Sequence, residues 1–429
     1  MSSTVTERKA VPEDHGPPPG QRKAVVGLLA AVVLLVAAAV AGNFLGALGV
    51  VAVIALVIMM HEAGHFVAAK LGGMKVTEYF LGFGPRLWSI RRGETEYGVK
   101  ALPLGGYVRI IGMNNMDQVT PEDEPRTYRE QSFPRRFAVA VAGSTVHFVL
   151  AILAAWSIFA FAHTAKPTPV ISAVPPFSNG SSPAEKAGLD AGDRIVAYDG
   201  HPTHGEWGAA HTYIQHHIDK PITFDIDRRR NGQVQHLKIV ATPVDATRAL
   251  DQGQPISTVP VGILGIDIAG GNYSLLGSIP HALSTFWHAG VLYTFKSVGA
   301  IFSPHGISSI GQQVVSTPGP AKADQNTVRP SSVIGIVQIA GQTHGWAQKM
   351  WLFLVANAFV GLLNLFPLLP FDGGHVVIAI YERIRSRKDR RYFADVTKML
   401  PYTFAVVVVI GFLFLSSVWL DLAHPITLH

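Results

Sequence analysis

Seventeen consecutive uncharged and almost wholly apolar residues, Phe44–Met60, run without a break into His61-Glu62-Ala63-Gly64-His65. Hydrocarbon leaves such a run one stable form, a helix that satisfies its own backbone polar groups. In that helix His61 and His65 stand four positions apart on one face, close enough to grip one metal ion. Glu62 is one position round, beside the metal, where it can take a proton from water. The competing reading is a pair of interfacial histidines with a solvated glutamate. Three ionisable groups at the end of a membrane span are costly, which favours the functional reading.

A catalytic zinc takes three protein ligands and keeps one position open. The chain has no cysteine, so thiolate ligands and disulfides are both excluded. The third ligand must then be a carboxylate or histidine presented at the same depth by another span, and Asp372 qualifies. It follows an apolar run interrupted by Pro367 and Pro370 and precedes Gly373-Gly374, which let backbone pack closely. The prolines free backbone groups that lipid cannot satisfy, so this segment must border protein or a wet cavity. Asn364 is placed to donate a hydrogen bond to a substrate backbone or a developing oxyanion, with interhelical glue as the alternative. His147, in another apolar run, reads equally as a substrate-binding or oxyanion group or as packing polarity. A supporting role suits His375.

Hydrophobic residues make up 48% of the 429-residue chain and charged ones 15%, and mean hydropathy is +0.28. These values suit a membrane protein with a soluble insert. The net charge of +6 is no sign of nucleic acid, because the basic residues gather beside apolar runs, as in cytoplasmic loops. The expected architecture is a polytopic α-helical membrane protein of about five spans with an inserted soluble α+β domain. A disordered cytoplasmic tail (1–23) leads to an extra N-terminal span (24–42) and the core span with the histidines (43–70). A β-hairpin region (71–113), a loop (114–136), a second core span (137–163) and the soluble domain (164–270) follow. An amphipathic and linker region (271–345), with a flexible linker expected over 303–330, leads to a third core span (346–372). A basic cytoplasmic region (373–401) and a last span (402–421) complete the chain. Basic loops after the first and third core spans place the soluble domain outside, and Arg22 and Lys23 place the N-terminus inside.

With these residues assembled, the chain resembles the bacterial site-2 protease family, intramembrane zinc metalloproteases of the M50 type, in the form with one PDZ domain. His61-Glu62-Ala63-Gly64-His65 is similar to the family's HExxH. The run from Asn364 through Pro367, Pro370 and Asp372 to Gly373 is similar to its N-x-x-P-x-P-x-x-D-G segment. YFLGFGPRLW with ETEYGVKALPLGGYVRI resembles its membrane-associated β-hairpin, and AEKAGLDAGDRIVAYDG resembles bacterial PDZ domains. Where the family often has Gly-Pro-x-x-Asn, this chain has Gly143-Ser144-Thr145-Val146-His147, and Phe371 replaces the usual Leu. The resemblance implies Zn2+ held by His61, His65 and Asp372, with Glu62 as general base, in the cytoplasmic membrane of a bacterium. It also implies substrates that are single-pass proteins such as anti-sigma factors, already shortened by a site-1-type protease, and a PDZ domain outside. A metal-free scaffold presenting the PDZ domain is the alternative. A membrane-anchored protease of soluble proteins, or a transporter, fits less well.

Overall fold

The computed structural model describes residues 40, 42, 45–113, 117–162, 166–316, 321–322, 330–343, 345–386 and 392–427. The expected tail over 1–23 lies outside the described residues, as does nearly all of the expected span over 24–42. Four described helices are long and apolar enough to cross a membrane. They are α1 (Leu45–Leu71), α2 (Phe133–Phe161), α5 (Trp346–Asn364) and the segment Val396–Ala423, whose first turn leads into α7 (Leu400–Ala423). A shorter apolar helix, α4 (Val333–Gln342), precedes α5. Helix α6 (Asp372–Arg385) follows the broken segment 365–371. The run expected as one span to residue 372 therefore divides, its helix ending at Asn364 where the prolines begin.

Between α1 and α2 the chain forms two long antiparallel strands, β1 (Val76–Arg92) and β2 (Thr95–Ile110). Both bend back on themselves. Tyr79 faces Val108 on one side and Tyr97 on the other, and Ser89 pairs with Gly98. The segment 95–99 thus lies between 88–92 and 78–81, while 106–110 pairs only with β1 among the described residues. The folded hairpin is fixed to α1 by apolar contact. Phe66 meets the rings of Tyr79 and Tyr97 at 5.6 and 5.8 Å, and Tyr79 donates to the Met59 carbonyl at 2.6 Å. Ala69, Met74, Val76, Ile110, Tyr128 and Val139 form the core beneath it.

The described residues divide into two compact units, Leu153–Ser284 and the remainder. The first holds an antiparallel sheet built from β3 (Lys166–Ala173), β4 (Arg194–Tyr198), β5 (Ile222–Arg230), β6 (Gln233–Ala241) and β7 (Asp267–Gly271), in the order β7-β3-β4-β5-β6. The two-residue strand His201–Pro202 adds to β4. Alternation along β5 buries Ile222, Phe224 and Ile226 against Ile171, Ile195 and Leu264, with Trp207 and Ile214 on and before α3 (Gly208–His216). Arg228 is clamped on the buried Asp193 at 2.6 and 2.7 Å.

The linker expected over 303–330 is helical at its start. Pro304–Val315 forms a helix whose first turn is capped by the Ser303 hydroxyl, which accepts from the Gly306 amide at 3.0 Å.

Two charge clusters tie the ends of spanning helices to the segments between them. Arg136, in the first turn of α2, pairs with Glu382 of α6, both buried, and the other Glu382 oxygen accepts from the Ala394 amide at 2.7 Å. Replacing Glu382 by Gln leaves a buried guanidinium uncompensated and should cost about 3–5 kcal/mol, whereas an Arg136→Met, Glu382→Leu pair should cost far less. Unfolding midpoints of the purified variants check this; equal losses would contradict it.

At the hairpin turn, Arg126 makes two hydrogen bonds to Glu94, at 2.8 and 2.9 Å, and Lys70 adds another at 2.5 Å. Arg126 first, and then Lys70, hold the Glu94 carboxyl down at about 2. A carboxyl depressed by folding stabilises the fold above its unfolded value and loses that contribution as pH falls through the folded one. The stability gap between wild type and Glu94→Gln should therefore be full at neutral pH and shrink from about pH 4.3 down to about pH 2. A gap independent of pH would show that the cluster is not an ion pair.

Candidate metal centre

Helix α1 delivers His61 and His65 from one face, as their spacing requires. Each ring is placed by α2. His65 Nδ1 donates to the Val139 carbonyl at 2.7 Å, which leaves Nε2 as the nitrogen with a free lone pair. Gly143, one turn further along α2, lies directly under both rings. A Cβ built there would fall 2.5 Å from His65 Nε2 and equally against His61. Only a glycine gives the two imidazoles this floor.

Asp372 arrives from the opposite side, in the first turn of α6. Gly373 follows because a Cβ there would strike the carbonyls of Leu365 and Phe366. That close approach folds α6 back against the proline-broken segment and turns the carboxylate toward α1. Its Oδ2 stands 3.4 Å from His61 Nε2 and 3.2 Å from His65 Nε2, and the two Nε2 atoms are 3.2 Å apart. The buried Oδ2 has no hydrogen bond of proper geometry.

Three electron-rich atoms therefore form a nearly equilateral triangle. A tetrahedral ion with bonds of about 2.0–2.1 Å spaces its donors about 3.3 Å apart, so the triangle fits one face of such a coordination shell. Among the described residues this is the only group of three or more His or acidic side chains whose donor atoms come together in this way.

Glu62 packs against the hairpin, where a Cβ on Gly106 would come 3.3 Å from its Cγ and the Val108 backbone is within hydrogen-bonding reach. His147 is buried on α2 with its ring centroid 5.1 Å from that of His61. Asn364, at the end of α5, lines with His61 and His147 an apolar cavity of about 780 Å³. His375, one turn after Asp372, adds no donor atom to the triangle; its ring centroid is 6.5 Å from that of Tyr128, and both line a cavity of about 490 Å³.

Residues 49–408 match the family model of peptidase family M50. The chain belongs to that family. An M50 peptidase is a hydrolase of peptide bonds, and with its four long apolar helices this member is a multi-pass membrane protein. It is 32% identical over 400 residues to the zinc metalloprotease Rip1 of Mycolicibacterium smegmatis, covering 86% of this chain and 95% of that protein. The Rip1 of Mycobacterium tuberculosis H37Rv is likewise 32% identical over 398 residues, with the same coverage. The metalloprotease MmpA of Caulobacter vibrioides is 28% identical over 410 residues, covering 86% of this chain and 93% of that protein.

Sequence reasoning singled out the residues of the triangle but not their supports. The Val139 carbonyl has no sequence signature, and Gly143 stood out only as the first residue of the segment compared with the family's Gly-Pro-x-x-Asn. Asn357, which bonds to His147, was visible only as a polar residue within a span. The Gly143 floor makes a sharp prediction: Gly143→Ala should abolish stoichiometric divalent metal binding while leaving the helical content intact. Metal analysis of the purified variant beside its circular dichroism decides this, and full metal occupancy would refute the floor.

Proposed function

We propose that this M50 peptidase is a zinc-dependent endopeptidase that cuts the membrane-spanning segment of single-pass proteins. The observation that carries the reading is the donor triangle of His61, His65 and Asp372, opening on a cavity with apolar walls. Helix α1 rises about 1.5 Å per residue, so His61 lies about 24 Å from Leu45, inside a hydrocarbon layer about 30 Å thick. The names of the relatives support zinc, which His and carboxylate donors suit. When bound there, zinc supplies Lewis acidity, bringing a water ligand's pKa to about 7 and polarising a carbonyl.

The protein's own groups do the rest. His61, His65 and Asp372 hold the ion. Glu62, the next residue after His61, accepts a proton from the attacking water and returns it to the leaving amine. A helical substrate hides its peptide bonds in its own hydrogen bonds and must open before it can be cut. The free edge of 106–110 offers backbone groups to an extended strand, and it lies against Glu62. Asn364 supplies a donor from the cavity wall.

The sheet domain over 164–270, within the unit Leu153–Ser284, reads as the single PDZ domain. Its antiparallel sheet and helix α3 border a groove of about 750 Å³ lined by Trp207, His211, Ile214, Gly262 and Leu264, suited to part of a substrate or its trimmed end. With the basic loops cytoplasmic, this domain stands outside the cytoplasmic membrane of a bacterium and the N-terminus inside. The substrates are then membrane-spanning regulators such as anti-sigma factors, shortened first by a site-1-type protease. The scaffold alternative leaves the convergence of three buried donor atoms without a purpose.

Co-expression with tagged single-span proteins tests the proposal. The wild type should convert a trimmed candidate to a shorter product, and Glu62→Gln should accumulate the uncut form while retaining zinc. Equal processing by both would remove Glu62 from the chemistry.

A further inference from the structure

His147 and Asn357 form a buried polar pair between α2 and α5 that the metal triangle does not need. His147 Nδ1 lies 2.9 Å from Asn357 Oδ1, and Asn357 is 4% exposed. The orientation of the amide is set by its other end, since Asn357 Nδ2 donates to the Phe353 carbonyl at 2.9 Å. A carbonyl accepts and cannot donate, so with Nδ2 committed to Phe353 it is Oδ1 that faces the imidazole and accepts a hydrogen bond from its Nδ1–H. Oδ1 can only accept, so His147 carries its proton on Nδ1 whichever way the rest of the ring is protonated. Nε2 is then the ring nitrogen left for other partners, and among the described residues none is bonded to it. Both side chains line the cavity that also holds His61 and Asn364.

We infer that Asn357 is a positioning residue for His147, fixing the imidazole so that Nε2 is the atom offered to the backbone of an opened substrate beside the metal triangle. The inference rests on the proposed function. An asparagine at position 147 would bring its own donor and acceptor on a short side chain with a freely turning amide. A histidine offers one nitrogen only if something holds the other, and Asn357, two helical turns before Asn364, does this. Simple interhelical glue would account for the hydrogen bond. It would not account for the placement of the pair in the cavity wall with the His147 ring 5.1 Å from a metal-site imidazole.

The test has one arm that needs neither metal nor substrate. In full-length protein with 15N-labelled histidine, assigned by loss in His147→Asn, the His147 Nδ1 resonance should be that of a protonated nitrogen. Its proton should exchange at least about tenfold faster with water in Asn357→Leu, the loss of one buried hydrogen bond. An unprotonated Nδ1 in the wild type would overturn the inference, whatever the protein's activity.

The second arm uses a quenched-fluorescence peptide carrying one apolar span. Asn357→Leu should lower kcat about tenfold with little change in KM, because the contact forms only with the opened segment. Asn357→Asp, which keeps the acceptor, should recover most of that loss. In a His147→Asn background, Asn357→Leu should cost nothing further. Equal losses in both backgrounds, with zinc content unchanged, would show that Asn357 acts on packing alone. If the wild type leaves every such peptide intact, the proposed function fails and the resonance still decides the placement of the ring.

Discussion

Three lone pairs aimed at one point repel each other, and much of the membrane region is arranged to hold them there. His65 is turned by a backbone carbonyl of α2, the two imidazoles rest on a glycine of the same helix, and Asp372 is swung in by a helix that begins where prolines end another. With neither a metal cation nor a shared proton between them, donor atoms 3.2–3.4 Å apart would be an unfavourable cluster in apolar surroundings. With a metal cation, they become the closed face of a coordination shell whose open side meets the cavity. The buried Arg136–Glu382 pair ties the first turn of α2 to α6, and so ties the helix that orients the histidines to the helix that carries the aspartate.

The hairpin adds a second constraint. Its strands bend so that 106–110 forms a free edge directly against the helix turn carrying Glu62. Backbone groups able to pair with an opened peptide and the carboxylate proposed to move a proton are thereby supplied by neighbouring residues. The polar pair of His147 and Asn357 lies along the same cavity, with Asn364 further along α5. Apolar walls with a few placed polar groups suit a substrate that is itself an apolar segment made briefly polar by unwinding.

Features set by local chemistry were legible in the sequence. The i, i+4 histidines needed only a helix, and Asp372, which the structure brings beside them, was picked out because two prolines in an apolar run have to border a cavity. The long apolar helices followed from hydropathy. What the sequence hid depends on three-dimensional approach: the glycine floor at Gly143, the carbonyl behind His65, the double register of the hairpin and the partner of His147. Helix Pro304–Val315 was missed because the run STPGPAKADQNT that follows it reads as linker and gave its character to all of 303–330, whereas the cap at Ser303 and the spacing of Ile307, Ile310 and Val314 mark a helix.

The most direct test of the shared metal site is X-ray absorption at the zinc edge on the purified protein. Two imidazole nitrogens and one carboxylate oxygen at about 2.0–2.1 Å are expected, with the carboxylate signal lost and the imidazole signal kept in Asp372→Ala. A wild-type spectrum without the carboxylate, or one unchanged by that substitution, would mean that α1 and α6 do not meet around one ion.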